Sequence, residues 1–203
     1  MNGKAPSGRR ALQAEQTRRD ILQAARRLFA ARGYTATSLK DVAAAAGVSV
    51  QTLYDSIGNK AELVRRLNDL LDEEADVGEI TASLATETDP HVVVRVPALV
   101  TRRMVERCDD ILRAALNGAQ TEPALAAMLE DGGKRHRAGG AAIAHRLAAL
   151  GALRSDIKVK DAATTIAALS DFRVALILVD DHRLDLAAIE DWIAETTARA
   201  VLS

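Results

Sequence analysis

At 203 residues the chain has room for one domain or two modest ones, and it can bury a core without disulfide staples. Apolar residues at 48% and charged residues at 27% exclude a disordered chain, and the longest uncharged stretch, Val42 to Tyr54, falls short of the roughly 18 residues of a membrane span. The net charge of -1 hides a division between residues 1–72, net +5, and the remainder, net -6, which points to a basic head for an anionic partner and an acidic body with another task.

Residues 1–16 mix Gly3, Pro6, Gly8 and basic side chains without an apolar period and are expected to form a flexible basic arm. No apolar block follows Lys4, Arg9 and Arg10, so no secretory signal is read and a cytoplasmic protein is expected. Forty alanines, with only 12 Gly and 4 Pro, favour helix throughout. Thr17 and Asp20 form a capping-box pattern that predicts a helix start, and Ile21, Ala25, Leu28 and Phe29 then share one face until Gly33. A second box, Ser38 with Asp41, predicts a short helix ending at Gly47. Ser49 can cap a third helix over 50–56, and Asn59 with Glu62 a fourth from Lys60 to about Ala75.

The later segments are less sharply punctuated. Asp89-Pro90 reads as a cap and first helical residue, opening a helix to about Arg107 that Pro97 should kink. A short helix over 109–116 is expected next, then a long one from Pro123 to Leu150 interrupted by Gly132, Gly133, Gly139 and Gly140. The last two predicted helices cover about 159–179 and 184–202. Cys108 is the lone cysteine, which excludes an intrachain disulfide or a cysteine-built metal site and fits a buried inert thiol.

The run from Thr37 to Tyr54, TSLKDVAAAAGVSVQTLY, is a short helix, a glycine turn and a second helix. With a helix in front and Asn59-Lys60-Ala61-Glu62-Leu63 behind, residues 17–71 resemble the DNA-binding domain of the tetracycline-repressor-type (TetR) family. The tail from Asp161 to Leu202, with Trp192, is similar to that family's C-terminal helix pair, and about 76–158 matches only in helix order. On the residues themselves, a recognition helix needs short side chains at its N-terminal end; Val50, Gln51 and Thr52 stand there, Gln suited to adenine and Val to a thymine methyl. The resemblance further implies that Lys40 reaches a base or the backbone and that Ser38, Thr52, Tyr54, Ser56 and Lys60 lie against phosphates. Two positions depart from the family pattern: Ile57 replaces a usual aromatic, and Asp55 replaces a neutral or basic residue and weakens attraction for phosphate. The bland alternative is a helical hairpin whose Thr, Gln and Tyr are merely solvated.

The body carries no signature of an active site: no phosphate loop, no His-Glu-x-x-His, no Glu-x-x-His pair and no nucleophile elbow. His136 lies on the apolar stripe of the long helix between glycine pairs, as either a pocket group or a core histidine bonded to a carbonyl. Arg103 and Arg107, one turn apart, read as a clamp for an acidic ligand or as a solvated edge. The apolar run Val174 to Val179 and the stripe with Trp192 suggest burial on two sides, one of them against a second copy.

The expected protein is all-α: a basic arm over 1–16, a three-helix helix-turn-helix domain over 17–60, and a larger helical ligand-binding and dimerisation domain over 61–203. It reads as a homodimeric, non-enzymatic transcription regulator of a palindromic double-stranded DNA operator, a repressor released by a small-molecule effector, with no cofactor, metal or membrane partner. A helical enzyme or ligand carrier without DNA function is the alternative class, and an architectural DNA binder without ligand is the third.

Overall fold

The computed structural model describes residues 6–203, and residues 1–5 of the expected arm lie outside them. Ten helices follow one another among the described residues: α1 (Pro6–Arg32), α2 (Leu39–Ala45), α3 (Val50–Ser56), α4 (Lys60–Glu74), α5 (Val77–Thr81), α6 (Pro90–Gly118), α7 (Pro123–Ala149), α8 (Val159–Leu169), α9 (Phe172–Asp180) and α10 (Leu186–Val201). The only pairing of extended backbone among them is a single antiparallel bridge, Leu153 with Leu202. The chain is all-α.

At Ser38, Ser49, Asn59 and Asp89 the helix begins where the sequence places its cap. Ser38 accepts from the Asp41 N–H while the Asp41 carboxylate accepts from the Ser38 N–H, closing the box at α2. Ser49 accepts from the Thr52 N–H at 2.9 Å, and Asn59 accepts from the Glu62 N–H at 2.9 Å. Asp89 accepts from the His91 N–H at 2.8 Å, with Pro90 as the first helical residue of α6.

Four expectations need correction. Helix α1 starts at Pro6, so residues 6–16 are helical and not an arm: Ala11, Leu12, Gln13, Ala14 and Glu15 are good helix formers, and extending an existing helix is far cheaper than nucleating a new one at Thr17. Thr17 is accordingly no cap; its hydroxyl donates back to the Gln13 carbonyl at 2.9 Å. The separate helix at 109–116 is the continuation of α6, because no Gly or Pro stands between Arg107 and Leu116 to stop it. The helix expected over 159–179 breaks into α8 and α9, where the buried Ser170 hydroxyl donates to the Ile166 carbonyl and Asp171 caps the next helix by accepting from the Arg173 N–H. The short α5 had no expectation at all; Asp76 precedes it with a left-handed backbone, φ 54°. Helix α7 runs unbroken through its four glycines, and α6 through Pro97.

By length and composition the segment 159–180 is apolar enough to cross a membrane. The break at Ser170 and Asp171 and the burial of Ala162, Ile166, Ala167, Ala175 and Leu176 are those of a core segment.

The chain divides into two compact units, whose boundaries fall inside α4, α6 and α7. One contains the described residues up to Asp69 together with 110–129. Its core gathers Ile21, Ala25 and Phe29 of α1, Val42 and Ala43 of α2, Leu53 of α3, Ile57 after it, and Leu63 and Leu67 of α4, all buried. Ile57 is buried where the family's usual residue is an aromatic, so the smaller side chain still serves the core. The other unit contains 70–109 and 130–203. There Val93 and Val94, Ile143, Ala144 and Leu147, Ala162 and Ile166, and Val201 form one apolar cluster from α6, α7, α8 and α10.

Candidate nucleic-acid interface

The turn between α2 and α3 follows from one residue. Gly47 takes φ 69°, a left-handed value that L side chains rarely adopt, and its N–H donates to the Ala44 carbonyl while the Val48 N–H reaches the Ala43 carbonyl. Those two bonds form a Schellman motif and satisfy carbonyls that the end of α2 would otherwise leave open. Ser49 then caps α3, its hydroxyl also 2.8 Å from the Thr52 hydroxyl. Leu53 turns inward with no exposure, and Val50, Gln51, Tyr54 and Asp55 lie on the outward face. Val50 is 39% exposed and Tyr54 50% exposed, side by side on that face.

Six of the eight sequence-predicted contact residues therefore sit on or beside one helix-turn-helix surface with accessible side chains: Ser38, Lys40, Val50, Gln51 and Tyr54 exposed, and Thr52 partly so. Ser56 is partly buried at the last position of α3. Lys60 has a different setting. Its Nζ donates to the Tyr34 carbonyl at 2.6 Å and stands 3.9 Å over the Tyr34 ring, so the ammonium ties the N-terminus of α4 to the α1–α2 turn. Burial pulls the Lys60 ammonium below its ordinary value, partly opposed by the Glu122 carboxylate, and burial first and Glu122 second push the Tyr34 hydroxyl up.

Sequence reasoning missed two contacts here. The Gln51 amide donates to Asp55 at 2.8 Å, a pair signalled by its i, i+4 spacing on one helix. Thr35 donates to Glu122, 87 positions away, and no local pattern announces that pairing.

The residues predicted for a ligand are engaged with the chain's own groups. Arg103 and Arg107 both point at Asp76 Oδ2, at 3.2 and 2.7 Å, and Arg107 also donates to the Glu74 carbonyl at 2.7 Å, where α4 ends. A shared carboxylate holds the left-handed Asp76 in place. The His136 Nε2 is 2.8 Å from the Ala167 carbonyl, the arrangement of a core histidine. Gly140 is pressed against α8, where an added Cβ would lie 3.1 Å from the Ala167 Cβ and 3.2 Å from the Ala163 oxygen. Gly139, by contrast, is exposed, with nothing near its missing side chain. The glycines beside His136 thus admit a neighbouring helix on one side and face outward on the other.

Residues 21–67 match the family model of bacterial regulatory proteins, tetR family, which covers the end of α1, the helix-turn-helix and the start of α4. This N-terminal segment is therefore similar to the tetR-type DNA-binding domain. Among curated relatives of the TetR-type segment, the HTH-type transcriptional regulator TtgR of Pseudomonas putida is 41% identical over 78 residues, 38% of this chain. That match spans only 37% of TtgR's length. Over nearly the whole chain the likeness is one of fold: a SmeT–triclosan complex superposes with a TM-score of 0.72 at 22% identity over 93% of this chain and 92% of that one. NalD, the secondary repressor of the MexAB-OprM multidrug efflux pump in Pseudomonas aeruginosa, superposes with a TM-score of 0.71 at 22% identity, covering 93% and 98%. The helical fold is therefore common to this chain and those structures.

Proposed function

We propose that the protein is a DNA-binding transcriptional repressor that acts as a homodimer on a near-palindromic operator and is released by a small-molecule effector. The observation that carries this reading is the outward face of α3, where Val50, Gln51 and Tyr54 stand exposed behind the Ser49 cap, inside the segment matched by the family model. A helix offering such side chains is dimensioned for the major groove. Val50, Gln51 and Thr52 meet base edges; Ser38, Tyr54, Ser56 and Lys60 meet the backbone, and Lys40 either. Residues 17–60 form the DNA-reading part, and 61–203 hold the effector and the dimer contact. The work is done in the cytoplasm, where the DNA is.

The dimer contact is assigned to the C-terminal helices. In the single chain Ala175, Leu176 and Leu178 of α9 are buried, whereas Ile177 is 51% exposed and Trp192 of α10 is 37% exposed. Both are large apolar side chains that a second copy would cover, and a two-fold protein suits a two-fold operator.

The effector assigned here is predominantly apolar, with one or two polar groups. Arg103, Arg107 and His136 remain the polar groups proposed to face it. Each already has an internal partner, so a strongly anionic molecule would have to displace Asp76 before gaining either guanidinium. SmeT with triclosan and the efflux-pump repressor NalD make a small organic effector the natural class to try first. Effector release requires tighter binding to the free protein than to the DNA-bound one.

The test is an electrophoretic shift on DNA flanking the coding region, repeated with a panel of small organic molecules. Specific retardation that one of them abolishes is the expected result. No retardation of that DNA or of selected genomic fragments would return the chain to the class of helical ligand carriers or enzymes, and retardation that no molecule relieves would favour an architectural binder.

A further inference from the structure

On the outward face of α3, Gln51 and Asp55 stand one turn apart, both exposed, and the Gln51 Nε2 donates to Asp55 Oδ1 at 2.8 Å. Asp55 is the one charged residue in the sequence of α3, VQTLYDS. It is also a residue that the family resemblance did not account for, since a carboxylate facing DNA phosphates weakens binding.

The hydrogen bond gives that carboxylate a use. A glutamine amide has two faces, a carbonyl that accepts and an NH2 that donates twice. Turned one way, it offers its NH2 to Asp55; turned the other, it sets carbonyl against carboxylate, acceptor against acceptor. The observed bond therefore selects one orientation and leaves the Gln51 Oε1 and one N–H for a partner. A side-by-side acceptor and donor complement the N6 donor and N7 acceptor that adenine presents in the major groove. A guanine presents two acceptors there, and the oriented amide cannot satisfy both.

The charge acts on a second quantity. Sequence-independent binding is a matter of phosphates and counterions, so a negative side chain on the reading face penalises every sequence alike. The Gln51 contact repays that penalty only where an adenine is in place. We propose that Asp55 is a specificity-determining residue, which orients the Gln51 amide for adenine and disfavours DNA that lacks it. This assignment rests on the DNA-binding reading above.

The test uses the full chain and its Gln51→Ala, Asp55→Ala and Asp55→Asn variants, each checked for unchanged helical content. Each selects sites from a random duplex library, and each is titrated on a duplex of scrambled sequence at two salt concentrations. Asn keeps a carbonyl that can accept from Gln51 but removes the charge, which separates orientation from electrostatics. The expected outcome is an adenine preference in each half-site of the unaltered chain, lost in Gln51→Ala and reduced about tenfold in Asp55→Ala. Asp55→Asn should retain the preference, and both Asp55 variants should bind the scrambled duplex a few-fold more tightly with a steeper salt dependence. Asp55→Ala with undiminished preference for adenine and unchanged affinity for scrambled DNA would overturn the proposal, as would a preference that survives in Gln51→Ala. An unaltered chain that enriches no site at all would instead overturn the DNA-binding reading beneath it.

Discussion

The Arg26 guanidinium lies bidentate on the Asp110 carboxylate, Nε and Nη2 each 2.8 Å from an oxygen, and so joins α1 to the part of α6 that shares its compact unit. Burial pushes the Asp110 carboxyl up, but the Arg26 hydrogen bonds and charge, with two backbone amides, outweigh it and hold the group below the ordinary aspartate value of 3.8. A carboxylate lowered by folding stabilises the folded state above that ordinary value, and the contribution is lost as pH falls through the lower folded value. Arg26→Met is expected to cost about 1–2 kcal/mol at neutral pH, given that Asp110 is partly screened by solvent. Chemical unfolding should show that difference shrinking below about pH 4; a difference that stays constant down to pH 2 would contradict the assignment.

Lys60 carries two roles that one variant separates. Lys60→Met removes the bond to the Tyr34 carbonyl and the cation over its ring, for an expected stability loss of about 1 kcal/mol. If its ammonium also meets a phosphate, affinity should fall by a similar factor on operator and scrambled DNA, and the salt slope should drop by about one. Fluorescence anisotropy at several salt concentrations measures both.

Adjacent glycines in α7 should respond oppositely to the same substitution. Gly139→Leu places an exposed side chain in open space and removes the cost of glycine within a helix, for a gain of about 0.5–1 kcal/mol. Gly140→Leu drives a side chain into Ala167 and the Ala163 backbone and should cost at least about 1–3 kcal/mol. Thermal unfolding of the pair decides the matter, and equal shifts would refute the close approach of α7 and α8.

Multi-angle light scattering at micromolar concentration should report roughly twice the 21.7 kDa of one chain. Ile177→Glu with Trp192→Glu, both at exposed positions of the single chain, should leave it folded and yield the 21.7 kDa particle. A double variant that remains dimeric would move the interface elsewhere.

Close to the Arg95 end of α6, Glu190 shows how a charge is kept inside: it is 7% exposed and accepts from Arg95 at 2.8 Å and Arg102 at 3.0 Å. Glu190→Gln should lower stability by about 1–3 kcal/mol, because Arg102 loses the carboxylate it bonds and Arg95 keeps only Asp191, while the shape is preserved. Denaturant midpoints at fixed pH would measure it.

The sequence by itself determined what depends on neighbours within one helical turn. Ser38 with Asp41, Gly47, Ser49, Asn59 and Asp89-Pro90 place the ends of α2, α3, α4 and α6 because a cap satisfies backbone groups only a few positions away. The helix-turn-helix and its outward residues were legible for that reason. Only the tertiary structure decided the pairings of Arg26 with Asp110, Thr35 with Glu122, and Arg95 and Arg102 with Glu190, which lie 84 to 95 positions apart and depend on which helix faces are packed together. It also decided that the Thr17 signal gives way to a helix already running from Pro6, and that Ser170 breaks what reads as one apolar helix. A cap is worth about 1 kcal/mol, small enough for helix continuation or a buried hydrogen bond to override it.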